Sequence, residues 1–302
     1  MKKTRLSFSS ISKDTDTSQG ASLTHVSRMP LDKNEPRQSD KKRSTKSSTY
    51  QYRKKQFGPA RKSVPFNSKS QSNANGKIPP IESGVVRVIP LGGVEEVGKN
   101  MTAIEIGDDI IVIDAGMHFS TEATPGVDYV IPNTTYLEER KEKIRALIIT
   151  HGHLDHILAA GELKISFNIP IYGNKKDTFL ITKMPQQARK YLKTTALPIK
   201  IDFNVGEVDK IKLGDETLEV VETPGHPPGS ISLYCKNSKI AFVGDLIFKD
   251  GSVGRSDFGY SNKLKLKRSI AGILKLPKET TIYPGHGEEF PLKELTFNIQ
   301  FI

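Results

Sequence analysis

From residue 81 onward the chain is built of short apolar runs separated by turns rich in glycine and proline. The runs are "VVRVIPL" (85–91), "MTAIEIG" (101–107), "DIIVI" (109–113), "RALIIT" (145–150), "TLEVVET" (217–223), "SISLYC" (230–235), "KIAFVG" (239–244) and "TTIYPG" (280–285). Each has the length and the Val/Ile content of a strand. Stretches with helical patterning fall between them, over roughly 154–167, 175–193 and 262–275, and Pro185 is an expected break in the second. Roughly 220 residues is ample for one packed core, so residues 81–302 are expected to form a single domain.

Residues 1–80 show no such runs and are rich in Ser, Lys, Asn, Gln and Pro. They hold 18 basic and 5 acidic residues, which leaves 27 basic and 29 acidic in the remainder. The chain's net charge of +11 therefore comes from its first quarter. A segment of this composition buries too little apolar surface to offset its ordering entropy, so residues 1–80 read as a disordered, basic, low-complexity tail. It contains no apolar stretch of the kind a secretory signal uses. No run along the chain is long and apolar enough for a transmembrane helix. The single cysteine, Cys235, sits in a strand-like run and reads as a buried residue. It excludes an internal disulfide and suits a reducing compartment, so a cytoplasmic location is expected.

The strand-like runs share a second property. "DIIVI" is followed by Asp114, and "RALIIT" by His151, His153, Asp155 and His156. "TLEVVETPG" leads to His226, "KIAFVG" to Asp245 and "TTIYPG" to His286. Five of the chain's seven histidines thus lie at strand ends. Neutral imidazole and carboxylate are the donors that zinc, iron and manganese take. Strand ends that converge on one rim of a sheet would bring these donors together. They are too many for one tetrahedral zinc. They fit two ions, one held by His151, His153 and His226, the other by Asp155, His156 and His286, with Asp245 shared between them. Two ions about 3.5–4 Å apart can hold a shared hydroxide as nucleophile. Asp155 is the candidate for managing its proton, and Asp114 is expected to orient a ligand histidine from behind. The expected cofactor is two zinc ions per chain, with manganese or iron as alternatives. "GGVEEVGKN" (92–100) lacks the spacing of a phosphate loop and reads as a strand-connecting turn near the site.

At this point the sequence resembles the metallo-β-lactamase superfamily. "THGHLDH", "TPGHPPGS", "FVGDLIF" and "YPGHGEE" look like its successive metal motifs, in order. The resemblance covers about residues 85–290. It implies a four-layer αββα sandwich with a dimetal site at one edge. Residues 85–160 are similar to the front of ribonuclease J, through "RVIPLGGVEEVGKNMTAIE", "VIDAGMHF" and "PGVDYVIPNTTYLEERKEKIRALIITHGHLDHI". From about residue 161 the likeness shifts to compact glyoxalase II-like hydrolases, through "ETPGHPPGSISLYCKNSKIAFVGDLIFKDGSVGRSDF" and "TIYPGHGEEF". The 68 residues between Ile157 and His226 leave no room for the β-CASP domain of ribonuclease J. The 16 residues after His286 do not hold the glutathione-recognising domain of larger glyoxalase II enzymes. The resemblance therefore implies a metal-dependent hydrolase whose expected substrate is a small thioester or ester. The alternative is a ribonuclease J-like RNA phosphodiesterase without the β-CASP domain. Arg255, in "GRSDF", could bind a substrate carboxylate or pair with Asp257.

The tail concentrates Lys41, Lys42, Arg43, Lys46, Arg53, Lys54, Lys55, Arg61 and Lys62, with Tyr50, Tyr52, Phe57 and Phe66 within or just beyond that stretch. Cations neutralise phosphates and release counterions, and aromatic rings stack on bases, so single-stranded RNA is the expected partner. Binding to RNA should weaken steeply with salt, with a log–log slope of about −0.7 per phosphate contacted. Deleting residues 1–80 should abolish it and leave small-substrate hydrolysis intact. Equal RNA affinity of the full and truncated chains would move the RNA surface to the folded domain.

Overall fold

The computed structural model describes residues 5–7, 78–93, 100–119, 129–130, 132–207 and 209–295. The strands, in chain order, are β1 (Arg5–Ser7), β2 (Arg87–Gly92), β3 (Met101–Ile106), β4 (Asp109–Ile113), β5 (His118–Phe119), β6 (Tyr129–Val130), β7 (Ile144–Ile148) and β8 (Ile171–Gly173). They continue with β9 (Phe203–Asn204), β10 (Lys210–Leu213), β11 (Glu216–Glu222), β12 (Ile231–Cys235), β13 (Ile240–Gly244), β14 (Thr281–Pro284) and β15 (Phe290–Pro291). The helices are α1 (Thr135–Glu138), α2 (Leu154–Ile157), α3 (Ala160–Phe167), α4 (Thr178–Gln187) and α5 (Lys263–Ile273).

The strands form two main sheets, ordered β2-β3-β4-β7-β8-β9 and β1-β10-β11-β12-β13-β14-β15, beside the two-stranded ribbon β5-β6. Alternate residues of each strand feed different cores, because side chains alternate across a strand. In β4, Ile110 and Val112 point outward to meet Ile157 of α2, Leu163 of α3 and Ile181 and Met184 of α4. Ile111 and Ile113 point inward to meet Leu218, Val220, Leu233 and Phe242 of the second sheet. On the far side, Ala241 and Val243 of β13 pack under Leu266, Ile270 and Ile273 of α5. The layers are therefore helix, sheet, sheet, helix, the αββα sandwich that the resemblance implied. Burial on both faces explains why the strands read as continuous apolar runs rather than alternating ones.

Strand direction sets where the donors go. β4 and β7 are parallel neighbours in the first sheet. β11 and β13 both run antiparallel to β12, and β13 is parallel to β14. The C-terminal ends of β4 and β7 on one sheet, and of β11, β13 and β14 on the other, therefore each share an edge. Two backbone bonds lace the loops there: Ile231 N–H donates to Thr150 O at 2.9 Å, and Gly285 N–H to Gly244 O at 2.9 Å.

Two helical expectations are corrected. The stretch 154–167 is split into α2 and α3. The N–H of Ala159 donates to Ala115 O, and the O of His156 accepts from Ala115 N, so backbone from outside the helix takes over its bonds. Pro185 does not break α4, which runs through it. A proline removes one hydrogen bond, and the burial of Ile181, Met184 and Ala188 in the outer core holds the segment helical. The irregularity appears three residues later as a π turn, Ala188–Leu192.

Arg5–Ser7, within the stretch expected to lack order, is a short strand at the sheet edge, parallel to β10. Edge strands offer unpaired backbone groups to any extended segment. Lys41, Lys42, Arg43, Arg53, Lys54, Lys55, Arg61 and Lys62 lie outside the described residues, as do Val94–Lys99 of the glycine-rich turn. No helix among the described residues is long and apolar enough to cross a membrane.

β3 carries a buried carboxylate on its outer face. Glu105 accepts from Tyr136 Oη at 2.5 Å and from Arg87 Nη1 at 2.7 Å. Glu105→Ala strands both donors, so it should cost roughly 2–4 kcal/mol in a denaturant melt. A loss below about 0.5 kcal/mol would show that water replaces the carboxylate there.

Candidate metal centre

His151, His153 and His226 bring their donor atoms within 4.8 Å of one another, and so do Asp155, His156, Asp245 and His286. Ligand bonds of about 2.0–2.2 Å put the donors of a tetrahedral ion roughly 3.4 Å apart. Both groups are therefore near the size of an ion's ligand cage. Asp245 lies between the groups. Its Oδ2 is 3.6 Å from His226 Nε2 and 3.4 Å from His286 Nε2, and its Oδ1 is 3.2 Å from His156 Nε2.

The hydrogen bonds on the far side of each imidazole decide which nitrogen faces inward. Asp114 leaves β4 with φ 58°, a left-handed conformation that aspartate tolerates better than most residues. Its buried carboxylate accepts from Thr150 N at 2.7 Å, Thr150 Oγ1 at 2.7 Å and His156 Nδ1 at 2.7 Å. His156 therefore presents Nε2. Since the Thr150 hydroxyl hydrogen goes to Asp114, its oxygen accepts from His151 Nδ1, 3.1 Å away, and His151 also presents Nε2. His226 Nδ1 donates to the carbonyl of Arg255 at 2.7 Å, which leaves Nε2 inward. His153 differs: its Nε2 lies 2.9 Å from Tyr260 Oη, which leaves Nδ1 as the lone pair. In each case the hydrogen bond on the outer side of the ring selects the nitrogen left facing inward.

The donor set fits a metal on a further observation. Nε2 of His151 and Nε2 of His226 are buried without a hydrogen-bond partner. Buried polar atoms are seldom left so, and a place for an ion is one recognised reason. The Nε2 atoms of His156 and His286 also converge, lying 2.9 and 3.2 Å from the Asn100 amide nitrogen. Glycines clear the space. A Cβ at position 285 would come within 2.2 Å of Asp245 Oδ1 and 2.8 Å of His156 Cε1. Close approach, rather than a positive φ, is what Gly285 provides.

The two groups differ in charge. Burial lowers the pKa of His151 far below the ordinary range, that of His153 to about 4, and that of His226 as well. These three are neutral donors at neutral pH. Burial acts the same way on His156 and His286 but is outweighed by carboxylates. Asp245, Asp114 and Asp155 hold His156 well above its usual value, and Asp155 and Asp245 push His286 up to about 9. Burial raises Asp245 and Asp155, yet the cationic histidines win and hold both low.

Asn100, Thr150, Tyr260 and the Arg255 carbonyl were not among the residues singled out in the sequence. Asn100 ends the turn 92–100, which places it beside the site. Arg255 contributes its backbone, while its exposed guanidinium makes a bidentate pair with Asp257 at 3.0 and 2.9 Å. That is the ion-pair alternative of the two raised for it. Cys235 is buried in β12, next to Glu216.

Comparison with known proteins matches the sequence model of the Metallo-beta-lactamase superfamily to residues 94–286. An uncharacterized protein of Aquifex aeolicus is 34% identical over 217 residues, 71% of this chain and 95% of that protein. Hydroxyacylglutathione hydrolase GloC of Haemophilus influenzae is 37% identical over 156 residues, 50% of this chain and 72% of that one. Ribonuclease J of Mycobacterium tuberculosis is 32% identical over 170 residues, 56% of this chain but only 29% of the ribonuclease. Among solved structures, the BLEG-1 B3 metallo-beta-lactamase has a TM-score of 0.54 at 26% identity, covering 70% of this chain and 95% of that one. TTHA1623 in a di-iron-bound form has a TM-score of 0.52 at 25% identity, covering 67% and 96%.

His286 yields a prediction about pH. Its folded pKa of about 9 lies above the ordinary 6.5, so its proton is held more tightly in the folded state. The resulting stability is fully present below pH 6.5 and is lost as the pH rises through 9. Chelator-treated protein should therefore lose melting temperature between these values. Zinc-saturated protein should lose less, because a ligated nitrogen no longer titrates. Parallel profiles for the two forms would contradict this reading of the second donor group.

Proposed function

Because the chain belongs to the metallo-beta-lactamase superfamily, we propose that it is a hydrolase that holds two metal ions and acts on small thioesters or esters. The observation that carries the reading is the place of Asp245, within 3.6 Å of donors in both groups. His151, His153 and His226 would hold one ion and Asp155, His156 and His286 the other, with Asp245 common to both. Zinc suits the imidazole and carboxylate donors; manganese and iron are the alternatives. When bound, the ions supply Lewis acidity that activates water and polarises a carbonyl oxygen.

The chain's own residues prepare that chemistry. Asp114 and Thr150 engage Nδ1 of His156 and His151, which turns Nε2 of each inward, and His151 needs no proton rearranged on its ring to accept a metal. The side chain of Asp155 is 26% exposed, against 11% for Asp245 and 13% for His286. It is the carboxylate of the cluster with the best access to solvent, which suits a group that accepts a proton from attacking water and passes it to a leaving thiolate. Phe258 and Tyr260 stack at 5.2 Å beside His153, with Phe179 against Tyr260. They form an aromatic wall next to the reacting groups that an apolar acyl chain would meet.

The substrate class rests on how much of each relative the chain spans. It covers 72% of GloC, named for hydrolysing hydroxyacylglutathione, which is a thioester. It covers 29% of ribonuclease J. The ribonuclease likeness favours a second reading, in which the same residues serve a phosphodiester of RNA.

Elemental analysis of zinc-saturated protein should give two ions per chain; one would remove the dinuclear assignment. Asp245→Ala should lose both ions, whereas His286→Ala should mainly weaken one. Asp155→Ala should slow thioester hydrolysis by about 100-fold or more. A panel of thioesters beside 5′-phosphorylated RNA separates the readings, since cleavage of RNA alone would favour the nuclease. Turnover by metal-free protein at the full rate would defeat both.

A further inference from the structure

Asp177 is the N-cap residue of α4, yet its side chain makes no capping bond to its own helix. An N-cap aspartate usually satisfies an orphan N–H there. Instead the carboxylate turns away and is buried, the residue being 2% exposed. Oδ2 accepts from Gly152 N at 2.9 Å, and Oδ1 accepts from Gly229 N at 2.6 Å. Gly152 stands between His151 and His153, and Gly229 lies three residues after His226. One carboxylate thus spans two loops from different sheets, and those loops carry all three histidines of the first donor group.

The packing is close on both sides. A Cβ at position 229 would lie 2.6 Å from Asp177 Cγ and Oδ1, and one at position 152 would lie 3.1 Å from Asp177 Cβ. The glycines of "HGHLDH" and "HPPGS" are therefore where this side chain enters. The same turn is anchored a second time. Asn174 Nδ2 donates to Glu222 Oε1 at 3.0 Å, at the end of β11 and four residues before His226. Burial pushes Asp177 up to about 6 although both N–H groups oppose that. A buried carboxylate is a costly way to join two loops when a local cap was on offer.

We propose that Asp177 is a positioning residue that locks the His151–His153 loop to the His226 loop and so pre-forms the three-histidine group for its metal ion. This rests on the metal-binding reading above. Without the carboxylate the loops keep the backbone bond from Ile231 N to Thr150 O, but they lose the side-chain tie beside the ligands. The ion then has to order them on binding, and its affinity falls.

The test uses the full chain carrying His286→Ala, in which the three-histidine group is the main remaining ion site. Zinc affinity is measured by chelator competition, with and without Asp177→Asn. The asparagine carbonyl can accept one of the two N–H bonds, but its NH2 faces the other donor. Zinc affinity should fall about 10–100-fold, the usual cost of losing an outer-shell partner. A Glu216→Gln control, in a buried polar cluster formed with Asn237 and Ser238, should lower the melting temperature and leave affinity unchanged. Equal affinity with and without Asp177→Asn overturns the proposal. If that variant does not fold, Gly229→Ala carries the test, because it displaces the carboxylate without removing it; unchanged affinity there overturns the proposal equally. If His286→Ala alone binds no zinc, the metal-binding reading itself fails, and the two failures are distinguishable.

Discussion

The central strands β4, β7, β12 and β13 are covered on both faces, so their interiors have no room for an unpaired polar group. An imidazole or carboxylate placed there would lose its hydration without a partner. The strand ends are where backbone leaves the layers and polar side chains can gather. Since β4 and β7 point one way in the first sheet, and β11, β13 and β14 share one direction in the second, their ends deliver Asp114, His151, His226, Asp245 and His286 to one region. The location of the site follows from the burial of the sheets.

Gathering so many ionisable groups creates an electrostatic problem that the structure resolves in two ways. The three-histidine group is kept neutral by burial. The group with Asp155 and Asp245 pairs anionic carboxylates with cationic histidines, at 3.1 Å for Asp155 with His286. A divalent ion at the first group would meet ready lone pairs, whereas one at the second would have to displace protons. Metal affinity is coupled to pH for the second kind of site. The two groups are therefore chemically unequal although Asp245 touches both.

Hydrogen bonds behind the ligands are as specific as the donors themselves. Asp114 uses three acceptor contacts to tie β4, Thr150 and His156 into one unit. Tyr260 behind His153 and the Arg255 carbonyl behind His226 complete the set, and both come from the segment after Asp245. That segment thus shapes the first donor group although it contributes no metal-binding side chain beyond Asp245. Phe258 and Tyr260 of the same segment stack on each other, and Phe258 also packs against His153.

The residue pattern by itself determined eight of the strands and the donors that follow them, because side-chain period and residue type are local properties; shorter strands such as β8 and β10 were not among the runs it named. The runs 109–113 and 217–223 match β4 and β11 to within a residue. Asp114, His151, His226, Asp245 and His286 could be picked out because each follows such a run. The partition of 154–167 into α2 and α3 could not be read, since it depends on bonds from Ala115, about forty residues away in sequence. Pro185 misled for a related reason: burial of its neighbours outweighed one lost hydrogen bond. Only the tertiary structure decided which ring nitrogen of His151, His153, His156 and His226 faces inward, the reach of Asn100 and Tyr260, and the use of Asp177 between two loops. These depend on how two sheets and the helices over them dock, which brings together residues 52 to 107 positions apart in the case of Asp177 with Gly229 and His153 with Tyr260.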